Sequence, residues 1–267
     1  NTHFILFFTY LFVTLPKIYR IMGQYINIGN AGFQRARNSE FVDKSGLISI
    51  VNGKLFTEQC FSCVSRCRRF GKSMAAKMLC AYYDRSCDSK ALFADLAIAQ
   101  DPSFAKHLNK YPVIYLDMSD FTERVKDDGI VDLIKEKLRE DILDAYPQVK
   151  TKKDDDLMEV LLRINEATGD VFILIIDEWD AICREFPPTS PAMDNYVGWM
   201  RRMFKSSNAS RVFAGVYITG ILPIKKYNTQ SALNNFQEYS MVEPRKMAPI
   251  FGFTKDEVRA LAGKHHA

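Results

Sequence analysis

The segment Arg66-Cys67-Arg68-Arg69-Phe70-Gly71-Lys72-Ser73 decides how this chain is read. Before it stands the short apolar run Phe61 to Ser65, and after it the run Met74-Ala75-Ala76-Lys77-Met78-Leu79, so the basic loop joins a strand to a helix. The phosphate-loop pattern asks for Gly, four residues, then Gly-Lys-Ser/Thr. The second half is met by Gly71-Lys72-Ser73, while Arg66 stands where the first Gly belongs. A loop bending into a helix start aims several free N–H groups at one point, where the helix dipole is positive. In that setting Lys72 reaches the terminal phosphates as a point charge and the Ser73 hydroxyl takes a place on Mg²⁺.

Alone, an incomplete Gly-Lys-Ser also fits any basic helix start. A second motif decides between the two readings. Phe172-Ile173-Leu174-Ile175-Ile176-Asp177-Glu178, about a hundred residues downstream, is a continuous apolar run ending in two acids. Following a phosphate loop, the first acid, Asp177, holds the metal, usually through water, and the second, Glu178, polarises the attacking water. A plain polar strand end or helix cap is the competing explanation, and the presence of both motifs in order counts against it.

Two further strands, Val113 to Leu116 and Val212 to Ile218, complete a pattern of apolar runs alternating with helices, which implies βαβ units and a mostly parallel sheet. Such sheets gather functional residues at their carboxyl edge. Thr219 ends one strand and is a candidate γ-phosphate sensor, although a turn residue before Gly220 explains it equally well. Asp117 ends another, and loop capping is the better reading there. Arg201, Arg202 and Arg211 precede the last strand, where an arginine finger toward a neighbouring subunit can originate; a solvated face is the simpler account of each. Helices are expected over Gly129 to Ala145 and from the cluster Asp154-Asp155-Asp156 to Gly169, the acids suiting a helix N-terminus. Thr254-Lys255-Asp256-Glu257 is a capping box that opens a helix close to the last residue, which suggests a longer parent chain.

Composition excludes more than it selects. The chain has 267 residues, 47% hydrophobic and 25% charged, with a net charge of +4. These are globular values, which rule out disordered, collagen-like and disulfide-scaffold classes and give no one-sided charge pointing to a dedicated nucleic-acid binder. Six unevenly placed cysteines and no second Cys/His pair at ligand spacing favour incidental thiols in a reducing, cytoplasmic setting. Of the four histidines, His3, His265 and His266 lie near the ends, leaving nothing on which to build a histidine-based triad. Asn109-Lys110-Tyr111-Pro112 fails the guanine-reading Asn-Lys-x-Asp, so adenine is the default base. The uncharged stretch Asn1 to Pro16 is shorter than a membrane span and lacks a basic n-region and a small-residue cleavage site. A start at Met22 would make residues 1–21 an extension outside the fold, and no membrane association is expected, an amphipathic or membrane-anchoring role for that extension being the alternative.

With these motifs in hand, the chain resembles the AAA-ATPase-like family of P-loop NTPases over roughly residues 24 to 260. The resemblance rests on Asn27-Ile28-Gly29-Asn30 with Phe33, Phe41-Val42-Asp43-Lys44-Ser45, Arg66 to Ser73, Ile176-Asp177-Glu178-Trp179-Asp180, Thr219-Gly220-Ile221, Asn234-Asn235-Phe236 and Gly252-Phe253-Thr254. It implies an α/β three-layer P-loop fold of the additional-strand, AAA-like type with a mostly parallel central sheet. The strand bearing the Walker B acids should lie next to the sensor strand, and a helical lid should begin at the C-terminus. Three parts are expected: the extension 1–21, the P-loop domain 22–250, and a lid or linker start at 251–267.

By position, the resemblance assigns Arg66, Cys67, Arg68, Arg69, Phe70, Gly71, Lys72 and Ser73 to the phosphate loop (Walker A). Ser73 and Asp177 fall to the metal, and Glu178, Lys72 and Thr219 to catalysis. Arg-Arg-Phe-Gly-Lys-Ser is a familiar form of the loop in this family, so Arg66 departs only from the wider pattern. The Phe41 segment would either border the adenine or pack on the sheet edge. The implied activity is Mg²⁺-dependent hydrolysis of ATP, possible self-association, and possible DNA contact through a PD-(D/E)XK nuclease-like domain beyond Ala267. A slowly hydrolysing nucleotide-gated switch and a DNA-binding accessory module are the alternatives.

Overall fold

A computed structural model describes residues 22–125, 128–224 and 233–265. The expected extension, residues 1–21, lies outside the described residues. Five strands form one parallel sheet: β1 (Phe61–Ser65), β2 (Val113–Asp117), β3 (Phe172–Asp177), β4 (Phe213–Gly220) and β5 (Gln237–Tyr239), in spatial order β2-β3-β4-β1-β5. The longer helices are α1 (Ala31–Arg37), α2 (Gly46–Asn52), α3 (Lys72–Tyr83), α4 (Met118–Arg124), α5 (Ile130–Ala145), α6 (Leu157–Thr168), α7 (Ala181–Glu185), α8 (Pro191–Lys205) and α9 (Lys255–His265), with shorter turns of helix between them. As expected, β3 and β4 are neighbours, and β4 separates β3 from β1.

Alternation along the strands builds three layers. Cys63, Leu116, Leu174, Ile176 and Ile218 face a core shared with the apolar stripes of α5, α6 and α8. Val64, Val113, Ile173, Ile175 and Tyr217 face the opposite core, shared with α1, α2 and α3. Both sides of β3 are therefore covered, which is why its sequence is an unbroken apolar run. At the β2 edge, Ile26 makes an antiparallel bridge to Ile114, and the amides of Gln24, Tyr25 and Ile26 donate to the Asp141 carboxylate on α5 at 3.1, 2.7 and 2.8 Å. That cover protects a sheet edge that would otherwise template a foreign strand.

Caps follow the local chemistry. Asp156 and Glu159 form a reciprocal capping box at α6, which ends on Gly169 at φ +75, and Asp155 pairs with Arg163 at 2.6 Å, so the acidic cluster is structural. Thr254 and Glu257 cap α9 in the same way, at 2.7 and 3.3 Å. Among the described residues all six cysteines are free thiols, and no group of three His, Cys, Asp or Glu could hold a metal by itself. No described helix is long and apolar enough to cross a membrane.

Candidate functional site

All strands being parallel, the carboxyl ends of β1, β2, β3 and β4 meet at one edge, and the two sequence motifs meet with them. The loop after β1 runs from Arg66 into α3. Gly71 is the N-cap of α3 with φ +79, a left-handed conformation that costs a side-chain-bearing residue energy, and a Cβ built there meets nothing within 4 Å. The glycine is therefore dictated by backbone conformation and leaves open space at the helix start. Among the described residues no side chain caps α3, whereas Asp117, Asp156 and Ser190 each cap their own helices. Among those residues the first-turn amides of this 12-residue helix have no intrahelical or side-chain acceptor, the arrangement that suits an anion.

The Lys72 side chain is buried and folds back across the loop, its Nζ donating to the Cys67 carbonyl at 2.9 Å. Burial lowers its pKa, against the pull of Asp177, Glu178 and Asp180, whose carboxylates favour the charged form. Ser73, Cys67, Arg68 and Arg69 are exposed, with Arg69 at φ +67, and Phe70 is half-buried. Arg66 behaves differently from its neighbours. Its amide extends the β1–β4 ladder to the Gly220 carbonyl at 3.0 Å, and its buried guanidinium donates to the carbonyls of Ser65 (3.1 Å) and Tyr239 (2.7 Å). Its side chain thus pins β5 to β1 and is directed at the strand carbonyls.

Asp177 ends β3, fully buried. Its Oδ1 accepts from the Thr219 hydroxyl and from the Glu178 amide at 3.1 Å, while its Oδ2, equally buried, has no hydrogen-bond partner among the described residues. An unpartnered buried carboxylate oxygen is costly unless a cation or an ordered water completes it. Thr219 lies inside β4, fully buried and in register with Val64, so it is no turn residue. Asp117 pairs in register with Asp177 and caps α4 through the Ser119 amide at 3.0 Å, as the capping reading expected. Burial, reinforced by the Asp177 charge, raises the Asp117 pKa.

Glu178 has φ +50, and its Oε2 accepts from Arg184 Nη2 on α7 at 2.5 Å. The same guanidinium donates to Asp180 Oδ1 at 2.9 Å, and Asp180 Oδ2 accepts from the amides of Ile221 (3.1 Å) and Leu222 (2.9 Å). Trp179 donates its amide to the Thr219 carbonyl at 2.9 Å and accepts the Tyr196 hydroxyl at 2.6 Å. The loop after β3 is in this way stitched to the end of β4. Gly220 permits that stitching, since a Cβ there would lie 2.6 Å from Trp179 Nε1 and 2.7 Å from Asp180 Oδ1.

Beside the loop, residues from three distant parts of the chain, among them Phe41, Phe70, Met74, Met78, Ile250 and Phe253, enclose an apolar cavity of ≈ 180 Å³. Lys44, also at its wall, pairs with Glu257 of α9 at 2.7 Å, and the Gly252 amide donates to the Phe70 carbonyl at 3.3 Å. Arg201 and Arg202, by contrast, line a hollow with Glu159 and Leu162 that shares no residue with the loop, and Arg211 pairs with Glu166 at 3.4 Å.

The family model described as "Predicted AAA-ATPase" matches residues 27–229. The chain belongs to this family. No curated protein matches the chain. The matched segment of the predicted AAA-ATPase takes in the whole loop, both acids and Thr219. Sequence reasoning passed over Arg184 and the role of Asp180; the signal lay in their i, i+4 spacing directly behind the two acids.

Proposed function

We propose that this predicted AAA-ATPase binds Mg²⁺ and ATP at the carboxyl edge of its sheet and hydrolyses ATP to ADP and phosphate. One observation carries the reading: at the sheet edge where α3 starts with its inward Lys72, Asp177 keeps one buried carboxylate oxygen that has no hydrogen-bond partner among the described residues. This donor set suits Mg²⁺, which takes one or two protein oxygens and completes its shell with water and phosphate. Ser73 and Asp177 would hold the ion, whose contribution is to neutralise phosphate charge.

The chain's own groups supply the rest. The amides from Cys67 to Ser73 and the Lys72 ammonium bind the phosphates; for Lys72 this means exchanging the Cys67 carbonyl for a phosphate oxygen. Thr219 donates its hydroxyl to Asp177 and would sense what arrives there. Glu178, once free of Arg184, orients the attacking water and takes its proton at a carboxylate oxygen. The apolar cavity beside Phe70 takes the base, and the absent guanine-reading motif favours adenine. Residues 22–250 would make up the ATPase unit, residues 251–267 the start of its lid, with action in the cytoplasm. Self-association and a DNA-directed role through a following nuclease-like domain belong to the same proposal.

A slowly hydrolysing switch is the second reading, favoured by the ion pair that occupies Glu178. Equilibrium binding of Mg·ATP tests the shared premise. Lys72→Ala should weaken binding on the order of tenfold or more, as loss of a charge-assisted contact implies, and Asp177→Asn should abolish the Mg²⁺ dependence of what binding remains. Wild-type affinity in both variants would refute the site.

A further inference from the structure

Lys54, just beyond α2, is half-buried against the β5 side of the sheet, and among the described residues it makes no ion pair. Its Nζ donates to two buried hydroxyls, Ser62 on β1 at 3.2 Å and Tyr239 on β5, and lies 4.4 Å from the centre of the Tyr239 ring. The Tyr239 hydroxyl proton goes to Gln237 Oε1 at 2.8 Å, so the oxygen is left to accept from Lys54. Two more cations stand near these neutral contacts. Arg245 and Lys246 belong to the short helical turn Arg245–Met247, whose Met247 is buried in the core shared with α1, α2 and α3. Arg245, in the left-handed region at φ +48, has a long 3.5 Å contact to Glu243, and its charge acts on both the Lys54 ammonium and the Tyr239 hydroxyl. Burial first, then repulsion from Arg245 and Lys246, brings the Lys54 pKa down to about 8. At pH 7.5 roughly a quarter of Lys54 is then free amine, about two-hundredfold more than for an exposed lysine of ordinary pKa.

We propose that Lys54 is a carbamylation site, which takes up carbon dioxide as a carbamate that Arg245 and Lys246 neutralise. The Nζ lone pair bonds to the carbon of CO₂, one C=O π pair moves to oxygen, and the nitrogen gives a proton to solvent, leaving N–COO⁻. Counted from the ammonium, two protons leave and the charge passes from +1 to −1; nothing is oxidised or reduced. Three like charges become one anion facing two cations. The side chains that disfavour the ammonium therefore favour the product. CO₂ is small and uncharged, which suits an amine that is half-buried. Neither nucleotide nor Mg²⁺ takes part. A Lys54 that merely braces the end of α2 against β5 would stay unmodified.

Trapping separates the two. The full chain is equilibrated at pH 7.5 with carbon-13-labelled bicarbonate and CO₂, ethylated with a trialkyloxonium salt to fix any carbamate, digested and mapped by mass spectrometry. Label should sit on Lys54 and be absent from that position in Lys54→Arg, whose guanidinium stays protonated. A free α-amino group titrates in the same range and accounts for signal that survives in the variant. At fixed dissolved CO₂, occupancy of Lys54 should climb as pH rises through about 8, because the free amine is the form that reacts. Arg245→Gln combined with Lys246→Gln should cut occupancy on the order of tenfold, since Lys54 regains a higher pKa and the carbamate loses both counter-charges. Absence of label from Lys54 overturns the proposal, and so does label spread evenly over the lysines. Unchanged occupancy in the folded double variant overturns it as well. Should either variant lose its cooperative melt, the map of label on the wild-type chain and its pH dependence decide.

Discussion

Gly71→Ala separates the stability role of the loop glycine from its proposed binding role, because the structure contains its own control. Gly71 has φ +79 and Gly169, at the end of α6, has φ +75, and a Cβ at either position meets nothing within 4 Å. The folded-state cost of each alanine is therefore the left-handed backbone alone, about 1 kcal/mol once the lower entropy of the unfolded alanine chain offsets part of it. For a domain of this size that is a fall in melting temperature of roughly 2–4 °C. The two variants should melt alike. They should differ in nucleotide affinity. At Gly71 the methyl enters the open space at the start of α3, where the proposed phosphate would approach the backbone closely, and Mg·ATP affinity should drop on the order of tenfold or more, about 1.4 kcal/mol. Gly169→Ala should bind as wild type does. Thermal melts and isothermal titration with Mg·ATP on the same preparations make the comparison. Equal affinity in Gly71→Ala, Gly169→Ala and wild type would show that the space above Gly71 is no phosphate cradle.

Two other substitutions probe the scaffold beneath the site. Gly220→Ala places its methyl against Trp179 and Asp180 at 2.6 and 2.7 Å, so chemical denaturation should show a loss of roughly 1–3 kcal/mol, the range of overpacking; a loss within experimental error would mean that the loop after β3 yields freely. Asp117→Asn tests the paired carboxylates. Because burial and Asp177 raise the Asp117 pKa, the folded state takes up a proton more readily than the unfolded one, and the ionised form is a cost that is fully present at neutral pH and relieved as pH falls through the folded pKa. Asparagine keeps the cap and removes the charge. The variant should be at least as stable as wild type at pH 7, with any advantage shrinking toward pH 4; a deficit that grows as pH rises would contradict the sign.

Much of this site was legible because its parts are dictated locally. The β-branched run at β3 needs two apolar faces, the acids at its end need an edge, and Gly71-Lys72-Ser73 needs a turn into a helix. The β1 and β2 assignments held for the same reason, within a residue at their ends. What stayed hidden depended on distant partners. β5 spans three residues, Gln237–Tyr239, too few to show a period, and it exists because β1 pairs with it and Arg66 reaches across to Tyr239. The role of the Arg66 side chain could not be read for the same reason, since its acceptor lies 173 positions away. α8 follows two prolines and builds its buried face from Met193, Tyr196, Trp199, Met200 and Met203, a stripe visible only once its extent is known. Thr219 read equally as a turn because the strand extends through it to Gly220, and only the register with Val64 shows that it is interior. Arg184 carries no motif of its own, and its place becomes visible only once the fold of the loop after β3 sets both acids beside it.

The most direct test of the central claim is phosphate release from Mg·ATP by Glu178→Gln beside wild type, with bound nucleotide measured in the same samples. The substitution preserves size and backbone and removes the carboxylate that is proposed to take the proton. The account predicts retained Mg·ATP binding, with release slower by about 10²-fold or more, the range of lost general-base function. Release at the wild-type rate with nucleotide bound would contradict it.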